Sequence, residues 1–334
     1  MRTTITDVAK QAGVSMKTVS RVLNNEPNVA KATRERVMEV ADQLDYSPNL
    51  AARGLASSRS YLIALLYDNA SPSYLTNIQR GAIEACRQQG YHLLLEPMTA
   101  AQTESEEAER ILRRMNVDGA ILTAPLCDLT ALRNSLTRLD IPYVAVGPQD
   151  ADEGAAVRMD DQDAAFQMVK YLIDLGHRDI GFIAGDPDHA STRHRRAGFD
   201  AAMQDAGLHA GTDRVVQGDY TFRSGLEAAK RMLEDPTSRP TAIFAANDDM
   251  AAGVLSAANR LNIAVPDALS VCGFDDTPIA RILWPQLTTV AQPIHQMGRK
   301  AAEILISRDK RRDPATHTFD YELIIRGSTA RAGT

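Results

Sequence analysis

The sequence predicts an all-α head of short helices followed by an α/β body of two doubly wound parallel-sheet lobes. Residues 1–46 show helical apolar spacing interrupted by a glycine. From residue 61 apolar strand-like runs alternate with helical segments, the pattern of parallel sheets covered on both faces. The alternation runs through two sets of about five units, hence two similar lobes, joined near Asp160 and crossed again over 287–293.

In the head, Thr6 is expected to cap a first helix over 7–12. Gly13-Val14-Ser15 breaks it, and Ser15 caps a second helix from Met16 to about Asn24. A third runs from about Thr33 to Asp45, where Val37, Val40, Ala41 and Leu44 fall at i, i+3, i+4 and i+7 on one stripe. Ser47-Pro48 opens a stretch of about two helical turns weakened by Gly54, a linker that becomes helical only with support. Strand candidates are 62–67, 92–95, 120–123, 143–146 and 157–159, then 180–184, 214–217, 242–245 and 270–273, with an edge piece at 320–325. The helices between them are 78–89, 104–115, 164–175, 196–206, 224–233 and 250–261. The expected division is a head over 1–46, a linker over 47–60 and a body over 61–334. The first lobe takes about 61–160 and 293–319, and the second about 161–292 and 320–330.

Composition narrows the function classes. The chain has 334 residues, 44% hydrophobic and 24% charged, with no apolar run near the roughly 18 residues of a membrane span. The first residues lack the apolar segment of an export signal. Three widely spaced cysteines, without CxxC, point to a reducing cytoplasm and no zinc site. Net charge is −6, but residues 1–60 carry nine Lys/Arg against six Asp/Glu, leaving +3 on the head and linker and −9 on the rest. A basic head on an acidic body suits a protein whose head meets phosphates.

Ala9, Gly13 and Val19 have the spacing of two crossed helices. A small residue sits where the helices touch, a glycine takes the turn, and an apolar residue fills the elbow. The second helix turns Thr18, Val19, Val22 and Leu23 inward and Met16, Lys17, Ser20, Arg21 and Asn24 outward. That outer face has donors, one long apolar chain and no acid, which suits base edges and nearby phosphates.

These residues resemble the lactose/galactose repressor family of bacterial regulators. The likeness is carried by Thr3, Asp7-Val8-Ala9, Gly13-Val14-Ser15 and Thr18-Val19-Ser20-Arg21-Val22-Leu23-Asn24. It continues through Thr33-Arg34, Val37, Tyr46, Pro48-Asn49, Ala52-Arg53 and Leu55. In the body it resumes at Gly176-His177, Ile180, Arg196-Ala197-Gly198-Phe199, Ala246-Asn247-Asp248, Gly273-Phe274-Asp275-Asp276 and Leu287-Thr288-Thr289-Val290, so it spans essentially the whole chain. It implies a periplasmic-binding-protein-like body and a homodimer on a pseudopalindromic operator in double-stranded DNA, with half-sites about one helical turn apart. Met16, Lys17 and Arg21 match base-contacting positions. Ser15, Thr18, Ser20 and Asn24 match positions that hold phosphate or the fold, and Thr6, Asn49 and Ala52 complete the DNA-facing set. Residues 47–57 match the family's hinge helix, and Leu55 the leucine that wedges into the minor groove.

The resemblance also implies an effector cleft at the carboxyl ends of the strands. Arg195 matches the effector-anchoring arginine, and Asn247 and Asp275 match positions that bond hydroxyls. Tyr220 stands where the family places a stacking aromatic. Tyr74, in the loop after the first strand, offers a second platform, and Thr123 ends a strand on the first lobe. Thr123 and Gly147 are smaller than the polar groups of sugar-responsive members, which leaves the ligand open. The expected function is a cytoplasmic repressor of carbohydrate-utilisation genes controlled by a small effector, with no cofactor and no heptad tail for tetramers. An exported sugar-binding protein and an enzyme are the rivals. The head disfavours the first. The lack of GxSxG, GxxxxGK[ST] and GxGxxG, and the isolation of His189 and His194 from a third ligand, disfavour the second.

Overall fold

The computed structural model describes residues 3–23, 27–46, 59–68, 71–103, 106–147, 154–209, 211–307 and 316–333. They form two compact units, divided between Tyr61 and Leu62.

In the first unit, helices Ile5–Ala12, Met16–Leu23 and Lys31–Gln43 close around Val8, Ala9, Ala12, Val19, Val22, Val37, Val40 and Ala41. Thr4, rather than Thr6, caps the first helix. Its hydroxyl accepts from the Asp7 amide while the Asp7 carboxylate accepts from the Thr4 amide at 2.9 Å. That reciprocal pair satisfies two amide donors at once, which Thr6, three residues before Ala9, cannot arrange. Gly13 ends the helix at φ 65°, a left-handed conformation that a Cβ disfavours. Ser15 caps the second helix, its Oγ accepting from the Thr18 amide at 3.1 Å.

The second unit holds two six-stranded sheets. Strands β1 (Leu62–Tyr67), β2 (His92–Pro97), β3 (Gly119–Thr123), β4 (Tyr143–Val146), β5 (Ala155–Arg158) and β11 (Thr316–Thr318) form the first, in the order β11-β5-β4-β3-β1-β2, all parallel. The second sheet contains β6 (Ile180–Ala184), β7 (Val215–Gln217), β8 (Ala242–Ala245), β9 (Ser270–Asp275), β10 (Thr288–Ala291) and β12 (Glu322–Ile324). It repeats the order as β12-β10-β9-β8-β6-β7, with only β12 antiparallel. Each sheet reverses its winding direction beside its first strand, between β1 and β3 and between β6 and β8. Loops part there and leave a crevice at the carboxyl ends. Burial of β3, β6, β8 and β9 along their whole length explains why they read as continuous apolar runs.

Thr288–Ala291, expected only as part of a crossing segment, is the strand β10. Its buried threonines find partners far along the chain. The Thr288 hydroxyl donates to the Arg326 carbonyl at 3.2 Å, and the Thr289 hydroxyl donates to Asp248 at 2.6 Å. Helices Thr130–Arg138 and Ile294–Ile306 are further elements beyond those expected from the sequence. In the second lobe Phe182 stacks on Phe199 at 5.0 Å and meets Phe244 at 5.4 Å. Helix Ala190–Asp205 lies close against helix Asp161–Asp174 because position 198 is glycine. A Cβ there would collide with the Gln162 carbonyl oxygen and the Ala165 side chain. Buried His177 joins Thr241 at 2.9 Å and Ser270 and the Ala330 carbonyl at 3.0 Å each, tying the residues after β12 to the second sheet.

Candidate functional site

Two surfaces collect the residues singled out above. On the head, Ser15, Met16, Lys17 and Arg21 are exposed, and Thr18 and Ser20 are half-buried. Ser15 and Thr18 hydroxyls bond each other at 2.9 Å, so both serve the turn into the helix. Thr6 is exposed on the first helix and its hydroxyl reaches the Met16 sulfur at 3.4 Å, which links the two helices on the outer face. Arg34 donates to the Val22 carbonyl at 3.2 Å near the end of the second helix. The face has the shape and chemistry of a recognition helix: exposed donors and one long apolar chain over a fully buried valine stripe. Asn24, Asn49, Ala52, Leu55 and the hinge over 47–57 lie outside the described residues.

In the body, a cavity of about 40 Å³ opens at the carboxyl ends of both sheets. Ser71, Tyr74 and Ala124 wall it from the first lobe, and His189, Ser191, Arg195, Tyr220, Asn247, Asp275 and Gln292 from the second. Five of the six expected residues therefore meet there. Thr123 does not. It is buried under β1 with its hydroxyl donating to the Leu66 carbonyl at 3.4 Å, and Ala124 takes its place at the wall. Tyr74 sits in the first turn of helix Pro72–Gln88 rather than in a loop, because Ser71 caps that helix and Pro72 starts it.

Arg195 is the centre of the cavity's polar wall. It is buried, its Nε donates to Asp161 Oδ1 at 2.8 Å with Nη2 in ion-pair contact with the same oxygen at 2.8 Å, and its Nη1 donates to the Ala246 carbonyl at 2.6 Å. Its plane lies 3.7 Å over the Phe274 ring, and Nη1 is 3.8 Å from Asp275. Asp275 ends β9 at φ 115°, a strained backbone of the kind that collects at ligand sites, and accepts from Gln292 at 2.6 Å. Asn247 caps helix Asp248–Arg260 by accepting from the Met250 amide at 2.9 Å, and donates to the Tyr220 carbonyl at 3.0 Å. Tyr220 packs flat against Gly185, and its hydroxyl joins Ser191 at 3.0 Å and Thr192 at 2.7 Å. Asp161, His189, Ser191, Ser71 and Gln292 are functional candidates that sequence reasoning missed. Gln292 stands just past β10 as Asp275 stands at the end of β9, so recognising that strand exposes it. In the sequence His189 stands out only as a possible metal ligand. Among the described residues no cluster of His, Cys, Asp or Glu is arranged to hold a metal.

Two hydrogen bonds clasp the lobes over this cavity. Ser71 donates to Asp249 at 2.7 Å, and Asp128 accepts from the Ala190 amide at 3.1 Å at the start of helix Ala190–Asp205. A larger groove of about 850 Å³ lies on the first lobe between helices Glu106–Met115 and Thr130–Arg138. Its walls are exposed arginines and glutamates paired with one another, as in Arg138–Glu109 at 2.8 Å, so the buried convergent groups of a ligand site are found in the smaller cavity.

Burial raises the Asp275 carboxyl from its ordinary 3.8 to about 7, with Arg195 and Gln292 opposing and Asp249 and Asp161 adding to the rise. A carboxyl raised on folding stabilises the fold below its unfolded value and loses that contribution as pH climbs through the folded one. The body is therefore expected to lose stability from pH about 4 to about 7, and Asp275→Asn to flatten that slope. Melting both proteins across this window checks it; parallel profiles contradict the buried carboxyl.

A three-helix head with a donor-rich outer helix, and a two-lobed body closing on a polar cavity, define the class of DNA-binding transcriptional regulators. The description "Bacterial regulatory proteins, lacI family" matches residues 4–49, and "Periplasmic binding protein-like domain" matches residues 169–329. The chain is 34% identical over 307 residues to catabolite control protein A of Priestia megaterium, covering 91% of this chain and 92% of that protein. Its fold matches that of the lac repressor dimer bound to operator and the anti-inducer ONPF, with a TM-score of 0.82 at 26% identity over 99% of this chain and 100% of that one. It also matches the transcriptional regulator CelR–cellobiose complex, with a TM-score of 0.74 at 29% identity over 98% and 100%. The chain belongs to the LacI family of bacterial regulatory proteins, and like its relatives it is a transcriptional regulator rather than an enzyme. No helix among the described residues is long and apolar enough to cross a membrane.

Proposed function

We propose that this chain is a cytoplasmic repressor whose hold on a pseudopalindromic operator is controlled by a small polar ligand, a sugar or sugar derivative, bound between the two lobes. The reading rests on one arrangement above all: the buried Arg195 and Asp275, 3.8 Å apart in the cavity wall, with Asn247 and Gln292 beside them. A guanidinium and a carboxylate side by side offer a donor and an acceptor to neighbouring hydroxyls. The likeness to a cellobiose-bound regulator supports the ligand class.

The chain acts as a homodimer, so that two heads meet two half-sites, as in the dimer of the lac repressor bound to operator. Trp284, 92% exposed, and Ile282, 80% exposed, form a bare apolar corner on the second lobe that suits a contact between copies. Sedimentation velocity reads the assembly, and a monomer at micromolar concentration contradicts it. Ligand-driven movement of the lobes shifts the two linkers over 47–57, and DNA affinity changes by a coupling energy of about 1–3 kcal/mol.

Titrating labelled promoter DNA from beside the gene with the pure chain, with and without sugars, tests the whole. Absence of specific binding sinks the reading. Lys17→Ala is expected to cost about 1–3 kcal/mol of operator affinity while leaving ligand binding unchanged. Leu55→Ala is expected to cost at least as much through loss of the minor-groove wedge. Fluorescence anisotropy measures both, and wild-type affinity in either variant removes that residue from the interface.

A further inference from the structure

We propose that Asp161 sets the charge class of the ligand: by neutralising Arg195 from behind, it makes the cleft a receptor for uncharged polar molecules and closes it to phosphorylated ones. This rests on the cleft being the effector site.

An arginine in the wall of a cavity is ordinarily an anion receptor, because its planar fork matches phosphate and carboxylate. Here the fork is already engaged. Nε and Nη2 are turned onto Asp161 Oδ1 at 2.8 Å each, and Nη1 onto the Ala246 carbonyl at 2.6 Å. The hydrogens left over belong to a neutral ion pair. They suit a hydroxyl or carbonyl oxygen and hold no net charge to balance an anion.

The other groups around the cavity tip the balance further. Asp275 faces the same guanidinium at 3.8 Å, and Asp249 stands one hydrogen bond away through Ser71. Asp248 lies behind β9, held by Thr277 and Thr289. Burial lowers the pKa of His189, at the start of the helix that carries Arg195, and His194 on that helix is within electrostatic reach of Asp161. Tyr74 and Tyr220 bring uncharged phenols. Among the described residues the cavity thus sets one guanidinium against three nearby carboxyl groups, Asp161, Asp249 and Asp275. A phosphate drawn into this space loses its hydration and meets a guanidinium whose charge Asp161 already balances.

An independent feature marks Asp161. Among the described residues its Oδ2 is buried and has no hydrogen-bond partner, and its side chain is 0% exposed. A half-satisfied buried carboxylate is a poor stabilising device, since an apolar pair of similar volume is often as good or better. Its charge acting on Arg195 is what such a group contributes here.

Thermal shift and calorimetry on the full chain test the proposal with matched probes: glucose against glucose 6-phosphate, ribose against ribose 5-phosphate, adenosine against AMP, with cellobiose and inorganic phosphate alongside. The expected result is binding by one or more neutral members, with each phosphorylated counterpart weaker by at least about tenfold. A phosphorylated member that binds as well as or better than its neutral partner overturns the proposal and leaves the effector site standing. A chain unmoved by every probe overturns the effector-site reading and the proposal with it. Asp161→Asn keeps the shape and uncovers the guanidinium, so inorganic phosphate and the sugar phosphates are expected to stabilise this variant and not the wild type. A folded Asp161→Asn chain still indifferent to phosphate takes the role away from Asp161. The wild-type comparison decides the charge class even where the variant does not fold.

Discussion

Arg195→Ala is expected to unfold the body far more easily than loss of a ligand contact would suggest. The substitution strands Asp161, whose carboxylate is fully buried and whose Oδ1 is held by the Arg195 guanidinium, through a hydrogen bond from Nε and an ion-pair contact with Nη2. It also leaves the Ala246 carbonyl without its 2.6 Å donor and bares one face of Phe274. Breaking a buried ion pair by removing one partner costs about 3–5 kcal/mol, a large share of the roughly 5–15 kcal/mol that holds a folded protein together. Chemical denaturation followed by circular dichroism measures the loss. Adding Asp161→Asn to the same chain is expected to recover part of it, because the stranded charge is gone. A cost under about 1 kcal/mol for Arg195→Ala would mean that the pair is solvated. The head is a separate compact unit with its own valine core, so its helices are expected to survive in the variant. Ligand response in Arg195→Ala has to be read against its stability for this reason.

Gly198→Val is expected to abolish ligand binding without touching a ligand. Helix Ala190–Asp205 carries Arg195, and helix Asp161–Asp174 begins with its partner Asp161. The two helices approach so closely at Gly198 that a Cβ falls inside the Gln162 carbonyl oxygen, and backbone atoms cannot rotate away as a side chain can. Valine therefore forces the helices apart. Overpacking of this kind costs about 1–3 kcal/mol and occasionally more, and the displacement falls on the helix one turn from Arg195. The measurements are a thermal melt and a titration with whichever sugar stabilises the wild type. Near-normal melting with near-normal affinity would show that the crossing yields without moving the arginine.

How far these features could be read from the chain depended on how local their causes are. Gly13, Ala9 and Val19 act within a single turn, so the head was legible residue by residue. Taking Thr6 for Thr4 comes from two cap-competent threonines two residues apart. Only Thr4 has an aspartate three residues on, and that pairing decides. The sheets were legible because full burial makes strands apolar throughout. β10 was not, because Thr288 and Thr289 are buried through partners 38 and 41 residues away. The same holds for the cavity. The family resemblance points to Arg195, Tyr220, Asn247 and Asp275. Asp161, 34 residues from the arginine it neutralises, became visible only when two helices were laid side by side.

The cavity between the lobes also has a consequence for time. At about 40 Å³ it has room for a few water molecules and falls far short of the several hundred cubic ångströms that small-molecule sites usually occupy. With Ser71 and Asp128 bridging the gap, widening the cavity for a sugar-sized ligand by parting the lobes breaks those two bonds. Occupancy then follows a gate as well as a concentration. The observed rate of binding levels off once ligand is abundant, at the rate of opening, and the apparent affinity is multiplied by the fraction of molecules standing open. A regulator built this way ignores brief pulses of its signal and answers those that outlast the gate.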